Sequence, residues 1–88
     1  MKKCEEFIIR EIAGDYVMMP VGDTALKFNG LIMANAVSAF IWEKIEDVDK
    51  VEELAKLITY EFDVTYEEAF KDCNILIQQM IKSNWIQI

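Results

Sequence analysis

Between Phe28 and Trp42 the sequence reads Phe-Asn-Gly-Leu-Ile-Met-Ala-Asn-Ala-Val-Ser-Ala-Phe-Ile-Trp, and the patterning of the chain changes here. Before this segment, apolar residues come in short runs between turn residues; after it, they recur at helical spacing. Asn35 is a predicted N-cap, because its side-chain oxygen can accept a hydrogen bond from a free backbone N–H of the first turn. We therefore expect a strand that ends near Met33 and a helix that begins at about Asn35.

The helix that follows Asn35 has one apolar face. Val37, Phe40 and Ile41 are spaced i, i+3, i+4, which directs them toward a core. Trp42 lies on the flank of that face and is large enough to cover a sheet edge. We expect Trp42 to be mostly buried and to pack this helix against the sheet.

Three strands are predicted before this helix. Phe7–Ile12 and Tyr16–Val21 flank a turn at Ala13-Gly14-Asp15, where glycine and aspartate favour a tight hairpin. The third predicted strand, Leu26–Met33, has the clearest period-two alternation in the chain. Gly30 inside it suggests a bulge or a close backbone approach.

Two further helices are predicted after it. The first begins at Asp49, which forms a capping-box-like pair with Glu52, and the second begins at Thr65, which forms a standard capping box with Glu68. The second helix is the longest and runs to about Ser83. Its predicted core face consists of Tyr66, Ala69, Cys73, Leu76, Ile77 and Met80.

The order of these elements predicts the fold class. The tail from Trp85 to Ile88 alternates and could add a short strand. Three strands followed by three helices indicate an α+β domain of segregated elements. We expect residues 1–88 to form a single domain.

Composition narrows the function. The 88 residues carry a net charge of −7, and the whole excess lies in residues 43–72, which hold four basic and eleven acidic side chains. Such a surface repels phosphate and argues against nucleic acid and anionic membranes. No apolar run is long enough to span a membrane, and no signal peptide is visible. We expect a cytoplasmic protein with two unpaired cysteines, Cys4 and Cys73.

Catalytic and metal-binding motifs are missing from the sequence. The chain has no histidine and three glycines, which excludes Ser-His-Asp and Cys-His systems as well as glycine-rich phosphate loops. Ser-Lys chemistry is not excluded in this way. The carboxylate pairs are adjacent in predicted helices, where neighbours point about 100° apart and do not converge on a substrate. We expect no enzyme activity, no cofactor and no metal.

Several local motifs, in this order, resemble the PqqD family, the small proteins of pyrroloquinoline quinone biosynthesis. An Asn-x-x-small-x-x-Ile-Trp signature is carried by Asn35, Ser38, Ile41 and Trp42. A family motif at the entry to the second helix is matched by Val51-Glu52-Glu53-Leu54. Another family motif, at the start of the third helix, is matched by Phe62-Asp63-Val64-Thr65-Tyr66-Glu67-Glu68-Ala69. Serine replaces a common glycine at position 38.

The resemblance implies a winged-helix-like fold and a non-catalytic function. Its members, and the related recognition elements of ribosomally made peptides, hold the leader of a precursor peptide. They present it to a modifying enzyme, often a radical S-adenosylmethionine enzyme. A peptide can add as a strand to an open sheet edge, and the third predicted strand offers such an edge.

The resemblance implies that one flank of the last helix lies opposite that edge, and the predicted peptide site lies between the two. On a helical wheel, Asp72, Ile75 and Gln79 lie together beside the core face. The predicted peptide-binding residues are Lys27, Asn29, Gly30, Leu31, Met33, Asp72, Ile75, Leu76 and Gln79. The predicted structural residues are Asn35, Ser38 and Trp42.

Two other interpretations remain. A winged-helix fold also occurs in DNA-binding regulators, although the longest helix opens with Glu67, Glu68 and Asp72 against Lys71, which disfavours duplex binding. A purely structural subunit would instead use its apolar strand surface to form a homodimer.

Overall fold

The computed structural model describes residues 1–28 and 30–88. Within these ranges a three-stranded antiparallel sheet and a small two-stranded sheet pack against the helices. The strands are β1 (Lys2–Lys3), β2 (Phe7–Ile12), β3 (Asp15–Pro20), β4 (Ile32–Ala34) and β5 (Ile86–Gln87). The helices are α1 (Thr24–Lys27), α2 (Ala36–Lys44), α3 (Val51–Glu61) and α4 (Tyr66–Lys82), with a 3-10 turn at Ile45–Asp47.

The main sheet has the order β2-β3-β4. The β2–β3 hairpin pairs Ile12 with Asp15, so its turn consists of Ala13 and Gly14. Both turn residues have positive φ, 52° and 85°, which matches the twist of the flanking strands in a two-residue hairpin. The predicted tight hairpin is confirmed.

The second sheet joins the two ends of the described chain. Lys3 of β1 pairs with Ile86 of β5, and the N–H of Cys4 donates to the carbonyl of Trp85 at 2.6 Å. A short strand in the tail was predicted. Its partner β1 was not, because a two-residue strand carries no periodic signal.

The third predicted strand was wrong over its first half. Leu26 lies in α1, with its side chain 85% exposed, and the strand is confined to β4. The buried hydroxyl of Thr24 accounts for this change, because it accepts from the N–H of Glu6 at 2.7 Å and holds the first turn of α1 against the segment before β2.

Two helix caps form as predicted. Asn35 Oδ1 accepts from the N–H of Ser38 at 2.8 Å and opens α2. Thr65 Oγ1 accepts from the N–H of Glu68 at 3.2 Å and opens α4. Each satisfies a backbone donor that the first turn leaves free.

The capping box predicted for α3 was wrong. The N-cap is Lys50, whose side chain makes no capping hydrogen bond. The helix begins later than predicted, so the carboxylate of Glu53, rather than that of Glu52, reaches back to the N–H of Asp49 at 3.3 Å.

The core lies between the sheet and the three long helices. Trp42 is 1% exposed and contacts the ring of Phe7 edge to face, as its predicted packing role requires. On α2, Val37 and Phe40 were predicted to face the core but are only partly buried. The buried face of α2 is therefore rotated from the predicted stripe toward Trp42. On α4, Tyr66 was wrongly predicted as a core residue, since it is exposed. The residues that α4 buries are Ala69, Cys73, Ile77 and Met80.

Candidate functional site

One side of β4 is open. The strand pairs with β3 from Tyr16↔Ala34 to Met18↔Ile32, and within residues 1–28 and 30–88 no strand pairs with its other side. The unpaired backbone N–H and C=O groups of such an edge are a template for another strand. The edge will be called the β4 edge.

The side chains of β4 alternate between the two faces of the sheet. Ile32 and Ala34 are partly buried and pack against the core. Met33 lies opposite Val17 in the register, on the other face, and is 66% exposed. Leu31, one residue before the strand, is 55% exposed. A strand added to this edge would therefore contact the core side with one set of side chains and lie beside Met33 with the other.

A groove begins where β4 ends and runs between the start of α2 and one flank of α4. Its volume is about 430 Å³. It is lined by Asn35, Val37, Ser38, Asp72, Ile75, Leu76 and Gln79. This α2–α4 groove brings together the four predicted site residues of the last helix with Asn35 and Ser38, which were predicted only as structural.

A second, smaller hollow continues this surface along α4. It has a volume of about 150 Å³ and is lined by Leu76, Gln79, Met80, Ser83 and Trp85. It shares Leu76 and Gln79 with the α2–α4 groove, so the two form one continuous surface. This feature will be called the Trp85 hollow.

An aromatic contact holds the segment before β4 beside the Trp85 hollow. The ring centroids of Phe28 and Trp85 lie 6.0 Å apart, edge to face. At the other end of the segment, Asn35 lines the α2–α4 groove. Phe28 therefore lies near the C-terminal end of α4, and Asn35, which follows β4, lies near the middle of that helix.

The aromatic cluster that Trp42 forms with Phe7, Phe28 and Trp85 was missed by sequence reasoning. The ring of Phe7 lies 4.8 Å from that of Trp85 and 5.6 Å from that of Phe28, centroid to centroid. Trp42 contacts both Phe7 and Trp85. Such a cluster gives no periodic signal, because its members come from four separate parts of the chain.

Lys27 does not lie free at the edge, because it is engaged in an ion pair. Its Nζ donates to Glu5 Oε1 at 2.7 Å, and the hydroxyl of Thr24 donates to the other oxygen of the same carboxylate at 2.8 Å. The Lys27 ammonium and the Thr24 hydroxyl lower the pKa of Glu5, while the Glu5 carboxylate raises the pKa of Lys27. This ion pair connects Lys27 of α1 to the segment before β2.

Gly30 adopts a backbone conformation that residues with a side chain disfavour. Its φ is +86°, a value that side chains disfavour, while a Cβ built there would meet no described atom within 4 Å. The glycine thus lets the chain turn into β4. Asn29, another predicted contact, lies outside the described residues.

The charge of the α2–α4 groove is negative. Asp72 is the one charged side chain among the described residues that line it. On the same helix, burial of the Cys73 thiol, together with the nearby negative charge of Asp72, raises its pKa to about 11. The thiol therefore stays protonated and unreactive at neutral pH. In the described part of the chain no cluster of three metal-ligating side chains occurs.

A hollow somewhat larger than the α2–α4 groove lies elsewhere. It has a volume of about 490 Å³, sits between α2 and α3, and includes Lys56, Leu57 and Tyr60 in its lining. It touches no sheet edge. Of the described helices, none is long and apolar enough to span a membrane.

Comparison with solved structures gives a likeness in fold. The chain resembles "TbiB1 in Complex with the TbiA(beta) Leader Peptide", with a TM-score of 0.67 and 17% sequence identity, over 99% of this chain and 95% of the other. A comparison with curated protein sequences finds no significant match. A family model described as coenzyme PQQ synthesis protein D (PqqD) matches residues 15–86, which is most of the chain. The chain therefore belongs to the PqqD family.

Proposed function

We propose that this chain is a non-catalytic adaptor that holds the leader of a ribosomally made precursor peptide as an added strand on the β4 edge. The observation that carries the proposal is an open edge beside a groove of about 430 Å³. The edge supplies backbone hydrogen bonds for affinity, and the groove supplies pockets for alternate side chains.

The comparisons support the same class of ligand. The family to which the chain belongs is named for coenzyme PQQ synthesis, and the structural neighbour TbiB1 is in complex with a leader peptide. The adaptor would present the bound peptide to a modifying enzyme in the cytoplasm, and a radical S-adenosylmethionine enzyme is the first candidate.

The chemistry of the groove agrees with binding rather than catalysis. Its described lining combines apolar, amide and hydroxyl side chains with a single carboxylate. A lone exposed carboxylate, without a histidine in the chain, offers no acid–base pair for general catalysis. The reaction itself would belong to the partner enzyme.

The outer edge of β2 is the alternative acceptor for a strand, because β2 forms the other border of the main sheet. The hollow beside its start is lined by charged side chains that include Lys3, Glu5, Glu6 and Glu46. Apolar leader residues would find less to contact there, so we favour the β4 edge.

A binding experiment with a matched control tests the proposal. The probe is a fluorescein-labelled synthetic leader, taken from a short precursor gene beside the coding sequence and titrated by anisotropy. Ile75, 48% exposed in the groove, is replaced by glutamate. Tyr60→Glu makes the same kind of change on α3, away from the edge.

We expect Ile75→Glu to weaken leader binding by at least about tenfold, or about 1.4 kcal/mol, with Tyr60→Glu unchanged. Equal affinities in the two variants would place the peptide elsewhere. Salt-sensitive binding of ordinary duplex DNA, with no leader binding, would favour a winged-helix regulator instead.

A further inference from the structure

The α2–α4 groove and the Trp85 hollow are related by one turn of α4. The groove takes Asp72, Ile75, Leu76 and Gln79 from this helix. The hollow takes Leu76, Gln79, Met80 and Ser83. Each member of the second set lies four residues after a member of the first. At a rise of about 1.5 Å per residue, the two subsites are displaced by about 6 Å along the helix.

This displacement matches the repeat of an extended peptide. Side chains two residues apart lie on the same face of a strand, about 6.6 Å from one another. Phe28 lies against Trp85 at the hollow, and Asn35 lines the groove. A strand added to the edge of β4, which lies between these two residues in the chain, would pass both subsites. Two leader residues at i and i+2 would then enter the two subsites, and the residue between them would lie beside Met33.

The two subsites differ in chemistry. The α2–α4 groove has apolar walls at Val37 and Ile75 and the carboxylate of Asp72. Glu68, one turn before Asp72 on the same flank, extends the negative charge. A lysine or arginine fits this combination, because its stem packs on apolar surface while its charged head stays at the polar end.

The Trp85 hollow suits an apolar side chain. Leu76, Met80 and the indole of Trp85 form most of its wall. Its volume of about 150 Å³ is comparable to a cavity that accepts a benzene-sized group. Its described lining contains no charged side chain.

We infer that the leader is recognised as a pair of residues two apart, a lysine or arginine in the α2–α4 groove and a large apolar residue in the Trp85 hollow. This inference rests on the proposed strand addition at the β4 edge. The order of the pair in the leader follows the direction of the added strand, and either order satisfies the inference. Asp72 is the residue that determines the charge preference.

Selection from a displayed random-peptide library tests the inference. The library is selected in parallel on the wild-type chain, on Asp72→Lys and on Asp63→Lys. The last variant changes the net charge equally at an exposed position between α3 and α4, outside both subsites. Peptides enriched on each protein are then synthesised and titrated against all three.

We expect wild type to enrich a basic and an apolar residue separated by one position. Asp72→Lys should bind these peptides at least about tenfold more weakly and should enrich an acidic residue in place of the basic one, with the apolar partner kept. Asp63→Lys should behave as wild type. Enriched peptides without the spaced pair, or equal responses of the two lysine variants, would overturn the inference.

The failure of the inference and that of the proposed function are distinguishable. Selected peptides that shift the amide signals of β4 and α4 but lack the pair would contradict only the inference. Selected peptides that leave the β4 signals unchanged would contradict strand addition itself, and an absence of binders would contradict both.

Discussion

The ring of Phe28 meets that of Trp85 edge to face, with their centroids 6.0 Å apart. This contact fastens the chain that leads into β4 to the segment that follows α4. The position of the β4 edge relative to the α2–α4 groove therefore depends on two aromatic side chains far apart in sequence.

Trp85→Ala should weaken leader binding and lower stability together. Truncation removes contacts with Phe7, Phe28 and Trp42 as well as the wall of the Trp85 hollow. We expect a loss of about 3 kcal/mol of unfolding free energy, measured by urea denaturation. Trp85→Phe should retain most of both properties. Full leader affinity in the alanine variant would show that this contact does not shape the site.

Trp42→Ala should destabilise the fold strongly. The side chain is 1% exposed, and its removal should cost about 3–5 kcal/mol, a large share of a small domain's stability. A melting temperature lowered by more than about 10 °C is expected. Trp42→Phe should lower it less, because it keeps one aromatic ring and leaves a smaller cavity, although it also loses the 3.4 Å hydrogen bond to the carbonyl of Phe7. A shift of only a degree or two in the alanine variant would disprove the packing role.

Ala13→Asn should stabilise the hairpin. Ala13 adopts φ of +52°, which disfavours alanine, whereas Asn-Gly is the preferred pair for a two-residue turn of this type. We expect a gain of about 0.5–1 kcal/mol in unfolding free energy, measured by urea denaturation. Ala13→Val should have the opposite sign, because β-branched residues tolerate positive φ poorly. A loss of stability in the asparagine variant would contradict the observed turn.

The two cysteines should differ in reactivity. Both are free thiols in the described ranges, Cys4 exposed and Cys73 buried. With a thiol reagent at about pH 8, we expect Cys4 to react quickly and Cys73 to react only after unfolding. Titration in denaturant without reductant should count two thiols. A count of zero would indicate a disulfide.

The raised pKa of Cys73 also predicts how the stability of the fold depends on pH. Burial raises its pKa to about 11 from an ordinary value of 9.0, so between these values the unfolded chain loses the proton and the folded chain keeps it. The unfolded state then binds fewer protons, and the free energy of unfolding falls as the pH rises. Cys73→Ala should show a smaller fall across this window than wild type. Identical slopes would contradict the raised pKa.

Features fixed by neighbouring residues were predictable from the sequence. The caps at Asn35 and Thr65 depend on bonds that span three residues, and the Ala13–Gly14 turn depends on local chemistry. The flank of α4 that carries Asp72 and Ile75 follows from helical geometry alone.

Features fixed by distant contacts were not predictable in this way. The short helix α1 is bonded through Thr24 and Lys27 to the segment before β2, and that interaction leaves no local pattern. The same holds for Trp85, whose role depends on rings contributed by other elements. The third strand was predicted wrongly over its first half because the alternation of apolar residues gives no sign of these distant contacts.

Amide chemical shifts test strand addition at the β4 edge most directly. The ¹⁵N-labelled chain is titrated with the synthetic leader, and shift changes are mapped onto its assigned backbone. We predict that the largest changes fall together on Leu31–Ala34 and on Asp72–Gln79, with β2 and α3 little affected. Changes concentrated in β2 or α3, with the β4 signals unmoved at saturation, would contradict the account.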